Sequence, residues 1–215
     1  MRPLAPPGPG EVHAWAARVA EAEAAGVADH LCADERARAA RFQVPAPRRR
    51  YVAARGLLRR LLAAYLEVPA ERLEIVAGRN GKPQLPGTPL HFSVSHSGDR
   101  VLLAFAADRA LGADVEEIRS TPDLVDIARR YFAPSEAEAL LALPELERTA
   151  AFFSLWTRKE ACLKVDGEGV GAGLLRPLAG FAPVTAREID VAPGYCAALA
   201  AAADWRPRLR HGVPG

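Results

Sequence analysis

At 215 residues, half of them hydrophobic and a quarter charged, the chain has the length for one large domain or two small lobes with real cores. A formal net charge of +2, from 28 basic and 26 acidic residues, excludes a strong overall field, so any anion site must come from local clustering. Three cysteines (Cys32, Cys162, Cys196), an odd number without a CxxC pair, speak against a disulfide framework or a structural zinc.

The start, residues 1–10, is rich in proline and glycine and lacks the apolar run of a signal peptide. No stretch approaches the length of a membrane span, so a soluble, cytoplasmic protein is expected. Residues 11–19 alternate Val12, Ala14 and Ala16 against His13 and Trp15 as a strand does, although their alanine content also suits a helix. Residues 34–42 read as a helix with Asp34 as N-cap. Residues 47–68 read as a long amphipathic helix, its apolar stripe being Val52, Leu57 or Leu58, Leu61 or Leu62, and Tyr65. A strand over 72–77 and a loop over 78–87 follow. Two strands, 90–94 and 101–107, are then joined by a polar turn, 95–100. In the second half a short strand at 111–116 precedes helices at 123–131 and 135–143. A long helix at 145–165 is closed by Gly167 and Gly169. Strands are expected near 180–184, 186–191 and 195–201, and residues 205–215 read as a loosely held tail. This order suggests an α+β fold of two similar lobes, residues 1–107 and 108–215, each a small, largely antiparallel sheet packed on a long helix. The halves share no evident sequence identity, so internal duplication rests on the element order alone.

Four constellations can carry chemistry. In Gly112-Ala113-Asp114-Val115-Glu116, residues two apart on a strand share a face, so Asp114 and Glu116 present paired carboxylates. Hard oxygens of this kind suit Mg²⁺; a strand end emerging into solvent, with Glu117 next in line, explains them equally. In WTRKEACLK, Trp156 to Lys164, Glu160 and Lys164 are i and i+4 on one helix face. They can serve a metal and a phosphate, or form a plain exposed ion pair. In HFSVSHSG, beginning at His91, hydroxyls, an imidazole and free amides can hold a phosphate; a serine-rich hairpin fits as well. A Ser95–His96 nucleophilic pair is disfavoured, because neighbours in a strand point apart and there is no GxSxG elbow. Lastly come Arg36, Arg38 and Arg41 on the short helix, Arg48, Arg49, Arg50 and Arg55 on the long one, and Lys82 in Gly81-Lys82-Pro83. Guanidinium forks fit phosphate oxygens, while a solvated basic face or a nucleic-acid surface needs the same residues.

Taken in order, Gly81-Lys82-Pro83, HFSVSHSG, GADVE and WTRKEACLK resemble the signature blocks of the phosphopantetheinyl transferase superfamily. The match is to the long, two-lobed Sfp type that activates nonribosomal peptide and polyketide synthases, and it runs from about residue 34 to 169. The resemblance implies lobes related by a pseudo-twofold, with coenzyme A between them and the metal site in the C-terminal lobe. It further implies that Asp114, Glu116 and Glu160 hold Mg²⁺ with the coenzyme A pyrophosphate. A serine of an apo acyl or peptidyl carrier protein would attack the β-phosphorus, and 3′,5′-ADP would leave. Lys164 would offset charge on the leaving phosphate, and either Glu160 or a water would take the serine proton. Ser95 and His96 would meet the nucleotide's phosphates, with Lys82, Pro83, Arg38, Arg41 and Arg50 around the cofactor and Lys159 near the pyrophosphate. Glu136 either joins them or serves only its helix start, where Ser135 and Glu138 spell a capping box. Some relatives have lysine where Glu35 stands. The long form is expected to be a monomer with no nucleic-acid or membrane partner. Three rival readings remain: a nucleotide- or nucleic-acid-binding module, a coenzyme A binder without turnover, and a metal-dependent phosphohydrolase. Near-neutral charge and the absence of aromatics among the arginines weigh against the first; the intact carboxylates weigh against the second.

Overall fold

The alternation of the first strand separates two cores. In a computed structural model describing residues 2–167 and 172–214, strand β1 (Glu11–Arg18) turns Trp15 and Ala17 to one face and Val12, Ala14 and Ala16 to the other. Both faces are buried, which is why the segment is apolar almost throughout. The one polar interruption, His13, is satisfied: its Nδ1 lies 3.0 Å from the Tyr65 hydroxyl, which also accepts the Trp15 indole N–H at 2.8 Å.

A short helix that the sequence reading lacked, α1 (Val19–Ala24), precedes α2 (Ala33–Ala40) and the long α3 (Pro45–Leu66). At the start of α2 Asp34 is not the cap. Cys32 holds that position, and its N–H is taken by Glu35 Oε2 at 3.1 Å. Proline opens α3, where a missing N–H costs nothing. Leu57, Leu58, Leu61 and Leu62 are all fully buried, while Val52 is only half-buried. The stripe is wider than a single face because α1 and the 3₁₀ turn Val27–His30 cover the back of α3. Gly56 permits that contact, since a Cβ there would stand 2.2 Å from the Val27 carbonyl oxygen.

The strand expected over 72–77 shrinks to β2 (Val76–Ala77), paired with β3 (Pro83–Gln84). Ala70–Arg72 forms a 3₁₀ turn instead, and the Arg59 guanidinium takes the carbonyls of Ala70 and Leu73 at 2.7 and 3.1 Å, the second of which lies in the expected strand. Strand β4 (His91–Ser97) continues through the residues expected to turn, and the reversal into β5 (Arg100–Ala106) falls at Gly98, whose φ is 54°. Then come β6 (Leu111–Glu117), α4 (Leu124–Tyr131), α5 (Pro134–Leu141) and α6 (Glu145–Val165). The Ser135–Glu138 capping box does not form. Helix α5 starts one residue earlier, and Glu136 takes the Ala133 N–H at 3.3 Å. Gly167, with φ 68°, follows α6 as expected; Gly169 lies outside the described residues. Of three strands expected before residue 202, two form, β7 (Val184–Glu188) and β8 (Tyr195–Ala202), while Leu178–Phe181 is a 3₁₀ turn.

In the first sheet β4, β5 and β1 lie in that order and the last sheet has the order β7-β8-β6, each of these pairings being antiparallel. In each lobe the chain runs strand, helices, strand, strand, so the two lobes share one topology, with α3 outside one sheet and α6 outside the other. Their inner faces meet in a core of Val12, Ala14, Leu102 and Ala104 against Leu111, Ala113, Val115 and Leu199. The expected loose tail is instead strand β9 (Arg206–His211), parallel to β1. Part of the 108–215 half therefore completes the first sheet, fastened by Arg206 and Arg208 to Glu11. Among the described residues no helix is long and apolar enough to cross a membrane.

Candidate active site

Where the lobes meet, β4 lies beside β6 and serine hydroxyls stand between them. Ser93, Ser95 and Ser97 share one face of β4. Their hydroxyl oxygens accept the backbone N–H groups of Ala113 at 3.0 Å, Val115 at 3.3 Å and Glu117 at 3.2 Å. A hydroxyl has one proton left to give. Ser95 donates it to Asp114 Oδ1 at 2.8 Å, and Ser97 to Glu116 Oε2 at 2.6 Å. The polar run looked like a turn, yet it forms the seam between the lobes and orients two carboxylates.

Helix α6 reaches the same place because Gly112 lets it approach. A Cβ on Gly112 would fall 1.9 Å from the Ala161 carbonyl oxygen. The next turn of α6 brings Glu160 and Lys164 over β6. Lys164 Nζ donates to Asp114 Oδ1 at 2.6 Å, to the Ala113 carbonyl at 3.1 Å and to Ser95 Oγ at 3.2 Å. Asp114 is 3% exposed, and its other oxygen, Oδ2, is buried with no hydrogen-bond partner. Burial pushes the Glu160 carboxyl up to about 7, with the charges of Asp114 and Glu116 adding to the effect and Lys164 opposing it. Glu116 is also raised, chiefly by burial; the Ser97 hydrogen bond pulls the other way, and Asp114 adds to the rise. The three carboxylates thus act on one another, and they line one cleft with Ser95, His96, Trp156 and Lys164. Among the described residues no three Asp, Glu, His or Cys side chains are placed to enclose an ion together. The donor chemistry nevertheless fits a hard divalent cation that keeps several waters: all three groups offer carboxylate oxygen, and one buried oxygen lacks any donor.

A second cleft, lined by Arg38, Arg55, Val76, Gly81 and Pro83, adjoins the first at Val94 and His96. His96 opens onto both. Protein on its other sides strips enough water from the ring to hold its pKa below the ordinary value, and Arg50 and Lys164 push the same way. Arg38 stacks over Tyr51 at 5.2 Å and shares a shallow exposed hollow with Arg41 and Phe42. Arg50 reaches the Gly98 carbonyl at 3.4 Å.

Three residues expected around the cofactor point elsewhere. Lys159 precedes Glu160, so it lies about 100° further round the helix. Its buried ammonium donates to the Glu136 carboxylate and to the Arg176 carbonyl at 2.7 Å. Glu136 also takes the Leu178 N–H at 2.6 Å, which makes this pair a pin between α5, α6 and the following loop. Lys82 spends its ammonium on backbone carbonyls of Leu111, Lys164 and Val165, and burial pulls its pKa down to about 8. Glu35, where some relatives have lysine, turns inward to Arg55 at 2.9 Å and Arg59 at 2.5 Å. The sequence reading missed Ser93 and Ser97, whose signal was the alternation of serine with Phe92, Val94 and His96. It also missed the need for Gly112.

Comparison with known proteins bears on the family of the chain. A family model described as 4′-phosphopantetheinyl transferase, N-terminal, matches residues 13–108, and one for the 4′-phosphopantetheinyl transferase superfamily matches residues 110–211. The 4′-phosphopantetheinyl transferase HetI of a Nostoc species is 36% identical over 219 residues, covering 94% of this chain and 92% of that protein. Psf-1 of Bacillus pumilus is 37% identical over 142 residues, 66% of this chain and 60% of its own. Sfp of Bacillus subtilis is 33% identical over 119 residues, 55% of this chain and 52% of its own. With both lobes matched by family models and one relative matched along nearly its whole length, the chain belongs to the 4′-phosphopantetheinyl transferase superfamily, in its long Sfp-type form.

Proposed function

We propose that this chain moves the 4′-phosphopantetheine group of coenzyme A onto a serine hydroxyl of an acyl or peptidyl carrier protein, releasing 3′,5′-ADP. The observation that carries the reading is the convergence of Asp114, Glu116, Glu160 and Lys164 on one cleft at the lobe junction, with Asp114 Oδ2 unpartnered. A new bond forms between the serine oxygen and the β-phosphorus while the bond to the bridging oxygen breaks. The pyrophosphate is anionic and repels its attacker, so the reaction needs charge neutralisation and in-line placement.

Asp114, Glu116 and Glu160 are the residues that would hold Mg²⁺. Bound there, the ion supplies Lewis acidity and positive charge at the pyrophosphate. Lys164 donates to Asp114 at 2.6 Å and brings a positive charge beside the leaving phosphate. The serine proton goes to Glu160 or to a water in the cleft, since a carboxylate engaged with Mg²⁺ is a weaker base. His96, Arg38 and Arg41 line the approach along which the nucleotide's phosphates would lie. A single chain contributes both walls of the cleft, which favours a monomeric enzyme. Its resemblance to the Sfp type favours carriers of nonribosomal peptide and polyketide assembly in the cytoplasm. The near-neutral net charge disfavours a nucleic-acid role.

The test uses purified protein, coenzyme A, Mg²⁺ and an apo carrier, followed by intact mass spectrometry. The carrier gains the mass of one phosphopantetheinyl group, and chelation of Mg²⁺ prevents it. Release of free phosphopantetheine without any acceptor would instead mark a phosphohydrolase.

A further inference from the structure

The segment that carries Lys82 leaves the first lobe and ties down two elements of the second. Lys82 Nζ lies 2.5 Å from the Lys164 carbonyl, 3.0 Å from that of Leu111 and 3.1 Å from that of Val165. An ammonium has three N–H donors, and these contacts use all three, leaving none for a phosphate. Two of the acceptors belong to the last turn of α6, where carbonyls lack intrahelical partners and carry the negative end of the helix dipole. The third opens β6, three residues before Asp114. Beside it, Asn80 Nδ2 donates to the Gly167 carbonyl at 2.9 Å, just past the same helix end. Lys164, whose carbonyl Lys82 holds, is the residue whose own ammonium grips Asp114.

We infer that Lys82, with Asn80, is a positioning residue for the transfer: it clasps α6 to β6 so that Glu160 and Lys164 stand over Asp114 and Glu116. The inference rests on the transferase reading and refines it, because it removes Lys82 from the cofactor's direct contacts. Gly81 and Pro83, on either side of Lys82, line the cleft shared with Arg38 and His96.

Steady-state transfer to an apo carrier with coenzyme A varied, and calorimetric binding of coenzyme A, separate the roles. Lys82→Met, which keeps the stem and loses the donors, lowers kcat by about tenfold or more while KM and Kd for coenzyme A stay within about threefold. Lys82→Arg retains donors and recovers most of the lost kcat. A tenfold rise in coenzyme A KM and Kd at unchanged kcat would overturn the inference in favour of direct contact. So would a lowered melting temperature with kinetics unchanged. If Lys82→Met does not fold, Asn80→Ala decides by the same split, with kcat lower by about threefold at constant KM supporting the clasp. Wild-type protein that binds coenzyme A and transfers nothing would sink the transferase reading itself, and the inference with it.

Discussion

The two oxygens of Asp114 are treated differently. Oδ1 receives Lys164 and Ser95, while Oδ2 is buried and receives nothing. An unpaired buried acceptor costs about 1–3 kcal/mol, a cost that a bound cation would relieve. Glu160 tells the same story through its proton. Its folded pKa, about 7, lies above the ordinary 4.5, so between those values the folded state binds more protons than the unfolded one. Stability without divalent ions therefore falls as pH rises from about 4.5 to about 7 and is level above. Urea unfolding at pH 5 and pH 8 will show that Glu160→Gln removes most of this fall, on the order of 2 kcal/mol. Gly112→Ala drives a methyl into the Ala161 carbonyl and costs roughly 3 kcal/mol, read in the same titration. Strand and helix periodicities put Asp114 with Glu116 and Glu160 with Lys164 as two separate pairs, and only the family resemblance joined the pairs into one candidate site. The contacts of Lys82, Lys159 and Glu136 were not legible there. Their partners are backbone carbonyls or side chains brought near by tertiary packing, and no local spacing encodes those.

Among the elements, β4 was the least legible at its functional end. Serine, histidine and serine before a glycine read as a turn, because sequence patterning assumes that polar residues face water. Here the alternate serines face another strand and substitute for a backbone ladder, so the strand keeps its period of two through polar side chains. Ser97→Ala leaves the Glu117 N–H without its acceptor and frees Glu116. The expected cost is about 1–3 kcal/mol in denaturant unfolding, with Ser97→Thr restoring part of it. The short β2 fails as a sequence prediction for the complementary reason. Arg59 takes the Leu73 carbonyl that a longer strand would have paired, and nothing in residues 72–77 announces a competitor on α3. Helix α3, by contrast, was plain from its apolar spacing, although its burial extends beyond the face that the spacing marks.

For the whole molecule, the repeated strand–helix–strand–strand order was readable, and the closing strand was not. Residues 206–211 carry alternating arginines that look like a solvated tail, yet Trp205 is 4% exposed and Arg206 and Arg208 converge on Glu11. Pairing decided long after β1 in the chain leaves no mark in nearby residues. Deleting residues 204–214 strips β1 of a neighbour, so the melting temperature by circular dichroism falls by at least about 10 °C; a loose tail would leave it unchanged. The same two-lobed frame fixes where chemistry occurs, by bringing β6 and α6 of one lobe against β4 of the other. The most direct measurement is the initial rate of carrier mass gain for wild type, Asp114→Asn and Glu160→Gln at saturating coenzyme A and Mg²⁺. The expected result is a fall of about a thousandfold or more in each variant with the circular dichroism spectrum intact. A folded variant retaining near wild-type rate would contradict it.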